Sequence, residues 1–141
     1  MKQIYIGIDP DVTKSGVAVF TDKKLSLYNK DYFELFDFLA NFTINDWKLL
    51  VVIEKGQANK HLFNAIGNKN VANNISMNIG RNFEATNIIE KFCKRHSINY
   101  EFYVPKMQKL NQIQIQKLFP YIEKSNEEQR DAIRCILRYI L

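Results

Sequence analysis

Cysteine, histidine, proline and glycine are all scarce in this chain of 141 residues, at two, two, three and five copies. Cys93 and Cys135 form no CxxC pair and both fall in expected helices. That excludes a disulfide scaffold and points to buried free thiols in a reducing compartment. His61 has no second histidine or cysteine at zinc-ligand spacing, so its reading is a surface histidine. No apolar run approaches the ~18 residues of a membrane helix, so no membrane partner is expected. The chain enters its first strand directly, without a signal-peptide pattern. No repeat, low-complexity tract or linker divides it, and a single domain over residues 1–141 is expected. What the sequence does have is apolar bulk. It is 46% hydrophobic, with ten Phe and seven Tyr, which excludes disorder as the main state. The formal charge of +5 and pI of about 9.2 suit a polyanionic partner.

The first twenty residues organise the rest. Ile4-Tyr5-Ile6-Gly7-Ile8 is apolar on both faces, as a strand is in the centre of a covered sheet. It stops at Asp9-Pro10-Asp11, and Ser15 to Phe20 begins a returning strand. A carboxylate at the end of a central strand lies at the sheet edge where open α/β sheets bind ligands. Asp9 is therefore the first candidate, against the plain reading of a turn aspartate before proline.

Thr21 to Lys24 reads as a turn and Leu25 to Tyr28 as a third strand, completing an antiparallel meander. Asp31 is placed to cap a helix over Tyr32 to Phe42, whose Phe33, Leu35, Phe36, Phe38 and Leu39 belong to the core. Leu49 to Ile53 is a second fully apolar run and ends at Glu54. A strand reached through a helical crossover pairs in parallel, which would bring Asp9 and Glu54 to one edge. Lys55 to Asn74, rich in Asn and Lys, reads as a long basic loop of the kind that carries function. A helix is expected from Met77 or Arg81 to His96, a strand from Ile98 to Val104, and a short helix from Ile113 to Phe119. Ser125 with Glu128 makes a capping-box pattern for a last helix, whose buried face is Ala132, Ile133, Ile136, Leu137 and Ile140. Glu128 and Asp131 lie three apart, on one side of that helix. Capping accounts for Glu128, but Asp131 sits inside the helix beside core positions and has no such role.

Asp9, Glu54, Asp131 and Glu128 thus converge. Clustered carboxylates raise one another's pKa, and a divalent cation relieves this. Oxygen-only ligands suit magnesium, with manganese as an alternative. Two such ions about 4 Å apart serve phosphodiester hydrolysis.

These motifs resemble those of RuvC-type Holliday junction resolvases of the RNase H-like superfamily. Gly7-Ile8-Asp9-Pro10 with Thr13-Lys14-Ser15-Gly16-Val17-Ala18 is similar to their opening motif. Val52-Ile53-Glu54 resembles the second, and Glu128-Gln129-Arg130-Asp131-Ala132-Ile133 the last. The similarity spans the chain. Asp11 stands where the family usually has glycine, Asn82-Phe83-Glu84 lacks a usual second glycine, and Glu128 replaces an aspartate.

The resemblance implies an α/β, RNase H-like mixed five-stranded sheet flanked by helices, with three antiparallel and further parallel strands. It implies a magnesium- or manganese-dependent endonuclease with two ions per site, cutting four-way or branched DNA by paired nicks as a homodimer. Asp9 would bridge the ions, with Glu54, Asp131 and Glu128 as further ligands. Water would attack phosphorus in line, with no covalent enzyme intermediate. The cytoplasm of a bacterium or phage-infected host follows as the compartment. Lys14, Lys55, Lys60, Arg81, Lys106 and Lys109 are candidates for phosphate contacts, making binding salt-sensitive, and Phe63 is a candidate wedge or a loop anchor. The rival readings are a YqgF-like nuclease of the same fold acting on RNA and a non-catalytic junction-binding module. An actin-like phosphotransferase needs two lobes and a longer chain.

Overall fold

The computed structural model describes residues 2–45, 47–56 and 69–141, the side chains of residues 69–79 and 82 excepted. Five strands form one sheet in the order β3-β2-β1-β4-β5. They are β1 (Gln3–Asp9), β2 (Ser15–Thr21), β3 (Lys24–Lys30), β4 (Lys48–Glu54) and β5 (Asn99–Tyr103). β1, β2 and β3 pair antiparallel, whereas β4 runs parallel to both β1 and β5. This is the mixed α/β sheet expected from the apolar runs. Helices α1 (Tyr32–Thr43), α2 (Lys69–Arg95), α3 (Gln112–Leu118) and α4 (Glu127–Ile140) flank it among the described residues. None of the described helices is long and apolar enough to cross a membrane.

Side-chain parity divides the two faces. Ile4, Ile6 and Ile8 of β1 and Leu49, Val51 and Ile53 of β4 pack with Leu35 and Leu39 of α1 and Ile89 and Cys93 of α2. The alternate positions face α3 and α4, where Val52 packs with Ile115, Ala132, Ile133 and Ile136. Burying each large aliphatic side chain contributes about 1.5–3 kcal/mol. Both cysteines are buried free thiols.

Local signals place the element ends. Asp22 and Lys23 have φ of 54° and 62°, and Thr21 pairs with Lys24. This is a two-residue hairpin with both central residues left-handed, the twist that suits tight hairpins. Asp31 caps α1 by accepting from the Glu34 amide at 2.9 Å, while the Glu34 carboxylate accepts from the Asp31 amide.

Phe33 of α1, expected in the core, is 82% exposed, its ring turned away from the sheet-facing Leu35 and Leu39, and two elements depart from the expectation. α2 begins at Lys69, so Lys69, Asn70, Asn73 and Asn74 are helical rather than part of a loop. Asn is a weak helix former but no breaker, and its abundance obscured the spacing of Val71, Ile75 and Ile79, four residues apart. α4 is capped by Asn126 and Gln129, not by Ser125 and Glu128. The Asn126 side chain accepts from the Gln129 amide at 2.9 Å. The Ser125 hydroxyl instead donates to Gln112, and its carbonyl accepts from Arg130 at 2.7 Å. The shift of one residue leaves Glu128 out of the capping box.

α4 is seated on the sheet backbone-to-backbone. A Cβ added at Gly7 would overlap the Ala132 carbonyl and come within 3.2 Å of Ile136 Cγ2. A Cβ at Gly16 would overlap the Glu128 carbonyl and lie 2.8 Å from the Gln129 nitrogen. Only glycine admits so close an approach at these two points. At its N-terminus, Asn126 Nδ2 and Gln129 Nε2 both donate to Asn29 Oδ1 of β3, at 2.7 and 2.8 Å.

Candidate functional site

β1 and β4 align Ile8 with Ile53, so the next residues, Asp9 and Glu54, leave the sheet side by side. Both have the parity of Gly7 and Val52 and therefore face α4. Asp131, in the second turn of α4 and buried, meets them there. Asp9, Glu54 and Asp131 each offer a carboxylate oxygen, and the three oxygens lie within 4.8 Å of one another. They line a cleft of about 530 Å³, bordered also by Asp11, Thr86, Pro105, Glu127 and Glu128. Glu128 is thus in the cleft but outside the close trio.

The electrostatics are those of crowded acids. Burial and then the neighbouring Glu54 push Asp9 up from 3.8 to about 9, with Asp131 and Glu128 adding to the rise. Burial also raises Glu54 and Asp131 adds to the rise, while the hydrogen bond with Asp9 and the Arg134 guanidinium oppose it. Burial and the crowding of acids thus favour the protonated form of Asp9 beside Glu54 when no cation is present.

Two cations enter this acid group. Arg134, 5% exposed, lies 3.1 Å from Glu54 Oε1 and 3.5 Å from Asp131 Oδ1 through Nη2. Its Nη1 donates to the Met107 carbonyl at 3.1 Å. Lys109 Nζ is 3.4 Å from Asp131 Oδ2 and is also paired with Glu127. The hydrogen bond to Glu127 raises the Lys109 pKa, as does the nearby Asp131. Lys109, expected to contact phosphate, is thus held by carboxylates at the mouth of the cleft. Sequence reasoning missed Arg134. Its signal was an arginine one helical turn after Asp131, among the apolar positions Ile133 and Ile136.

The other candidate cations separate by element. Lys14 follows β1, Lys55 directly follows Glu54, and Lys106 follows β5. All three are exposed and fall at one edge of the sheet, Lys14 and Lys55 next to the strands that deliver Asp9 and Glu54. Lys55 also lies over the Phe102 ring, 5.0 Å from its centroid. Arg81 is exposed on α2. Lys60, His61 and Phe63 lie outside the described residues.

Three carboxylates with oxygen donors only, crowded enough to retain a proton, fit a hard divalent cation. Asp9, Glu54 and Asp131 would hold it, with Glu128 within the same cleft.

No protein-family model and no curated protein sequence matches this chain. Among solved structures it is similar to Thermus thermophilus RuvC in complex with a Holliday junction substrate. The TM-score is 0.54 at 14% identity, over 96% of this chain and 90% of that one. The likeness shows that the two chains share a fold.

Proposed function

We propose that this protein is a metal-dependent, structure-selective endonuclease that cleaves four-way or branched DNA by paired nicks. The observation that carries the reading is the meeting of Asp9, Glu54 and Asp131 within 4.8 Å on a fold shared with a protein solved on a Holliday junction. Bound magnesium or manganese, as one ion or a pair, would activate the attacking water and neutralise charge at the scissile phosphate.

The chain's own residues prepare that chemistry. Asp9, whose carboxyl is raised by burial and its acidic neighbours, would give up any proton it holds as the ion enters and serve as one of its ligands. Glu54 and Asp131 are held by Arg134. Glu128, free of the helix cap, is the fourth acid of the site. Lys109 at the cleft mouth neutralises Asp131 until a phosphate arrives. Lys14, Lys55, Lys106 and Arg81 contact backbone phosphates along the junction arms, giving salt-sensitive binding. A homodimer would present two such sites to the two strands that must be nicked.

The test uses an end-labelled four-way junction and a matched linear duplex with magnesium, manganese or EDTA, and Asp9→Asn alongside. Paired nicks confined to the junction, lost in EDTA and in the variant, are expected. Tight junction binding without cleavage in either metal would make the protein a binding module. Absence of any junction preference would overturn the reading and turn attention to structured RNA.

A further inference from the structure

We propose that Arg134 is a positioning residue and resident counter-cation of the acid centre, holding Glu54 and Asp131 together and setting how tightly the centre takes a divalent ion. The inference rests on the reading of the trio as a divalent-cation site.

The placement of Arg134 is costly. It sits on α4 between Ile133 and Ile136, 5% exposed, where an aliphatic side chain would pack without burying charge. Burying an ion pair is often no better than a hydrophobic replacement. The guanidinium is also incompletely satisfied, since Nε is buried with no hydrogen-bond partner among the described residues. Filling space does not account for a side chain so placed.

What Arg134 does contact is specific. One nitrogen, Nη2, reaches both Glu54 and Asp131, which stand 77 positions apart in sequence and on different elements. Nη1 ties the same group to the Met107 carbonyl in the segment between β5 and α3. A planar guanidinium anchored this way fixes the two carboxylates relative to each other, which a flexible ammonium does not. Its charge reduces the repulsion between the acids in the free protein. The same charge opposes a second cation brought within a few ångströms. Arg134 thus makes the centre well ordered before loading and moderates its affinity.

Manganese binding to the whole protein, followed by calorimetry, tests this with Arg134→Gln and Arg134→Lys. Arg134→Gln is expected to bind manganese about ten-fold more tightly than wild type and to melt lower in EDTA. Much of that loss should be recovered on adding the metal. Its cleavage should fall through kcat rather than KM. Arg134→Lys retains the charge without the planar fork, so affinity stays near wild type while kcat falls. Equal affinity in Arg134→Gln and wild type, with the same stability loss with and without metal, would make Arg134 a structural tie and overturn the proposal. Failure of Arg134→Gln to fold even in manganese would overturn it equally. If wild type binds no manganese, the reading of the centre fails as well, and the two failures are thereby told apart.

Discussion

Ile4, Ile6 and Ile8 look toward α1 and α2; Tyr5, Gly7 and Asp9, alternating with them on the same strand, look toward α4. β4 repeats the division, with Leu49, Val51 and Ile53 on one side and Leu50, Val52 and Glu54 on the other. The α1–α2 face of the sheet is a hydrophobic core. The α4 face has an apolar cluster of its own but adds two glycines pressed against helix backbone, three clustered acids and a buried arginine. Apolar burial of ~1.5–3 kcal/mol per large side chain, undiluted on the first face, offsets the crowding of like charge on the second. One strand serves both purposes because its side chains alternate.

If the two faces divide the work in this way, Asp9→Asn separates them most sharply. Junction cleavage should fall by about a thousand-fold or more, while unfolding in EDTA shows unchanged or increased stability, because a crowded acid is gone. Ile6→Ala is the converse. It should cost about 2–5 kcal/mol in urea unfolding, with cleavage per folded molecule within about three-fold of wild type. A large loss of specific activity there would show that the faces are not separable. Gly7→Ala lies on the boundary. Overlap with the Ala132 carbonyl must lift α4, costing about 1–3 kcal/mol and weakening manganese affinity along with stability.

A pH series sharpens the comparison further. Asp9 stands at about 9 against an ordinary 3.8. A carboxyl raised on folding favours the native state fully below its unfolded value, and that contribution is lost as pH rises through the folded value. Wild type in EDTA should therefore lose stability from about pH 4 toward about pH 9, and Asp9→Asn should lack that part of the slope. The magnesium-induced rise in Tm should grow over the same window, because less proton then competes for the site. The smallest effect is expected from Lys14→Ala, Lys55→Ala or Lys106→Ala. Each should weaken junction binding a few-fold and lower the salt slope by about one, leaving single-turnover cleavage at saturation unchanged.

Much of this was legible in the sequence because it is local. Apolar runs ending in Asp9 and Glu54 revealed the two central strands and their acids, and parity assigns both acids to one face. Asp31 was readable as a cap because its partner, Glu34, is three residues away. Asn126 and Ser125 are adjacent and equally good caps by type, and Gln129 and Glu128 equally good partners. Tertiary contacts that no window of sequence contains accompany the observed choice: Gln112 of α3 engages Ser125, and Asn29 of β3 accepts from both Asn126 and Gln129. Arg134 was missed for the same reason, since its partner Glu54 is remote in the chain. The extent of α2 was hidden by asparagines that lower helix propensity without forbidding the helix.

The seat of α4 on Gly7 and Gly16 has a mechanical consequence. Where side chains space a helix from a sheet, a new rotamer can change the gap by small amounts. Here carbonyl and peptide atoms are the spacers, and they have no rotamers. The separation of Asp131 from Asp9 is therefore not finely adjustable at these two points. Any widening of the cleft on that side requires α4 to tilt or slide as a rigid rod, taking Glu128, Asp131 and Arg134 with it together.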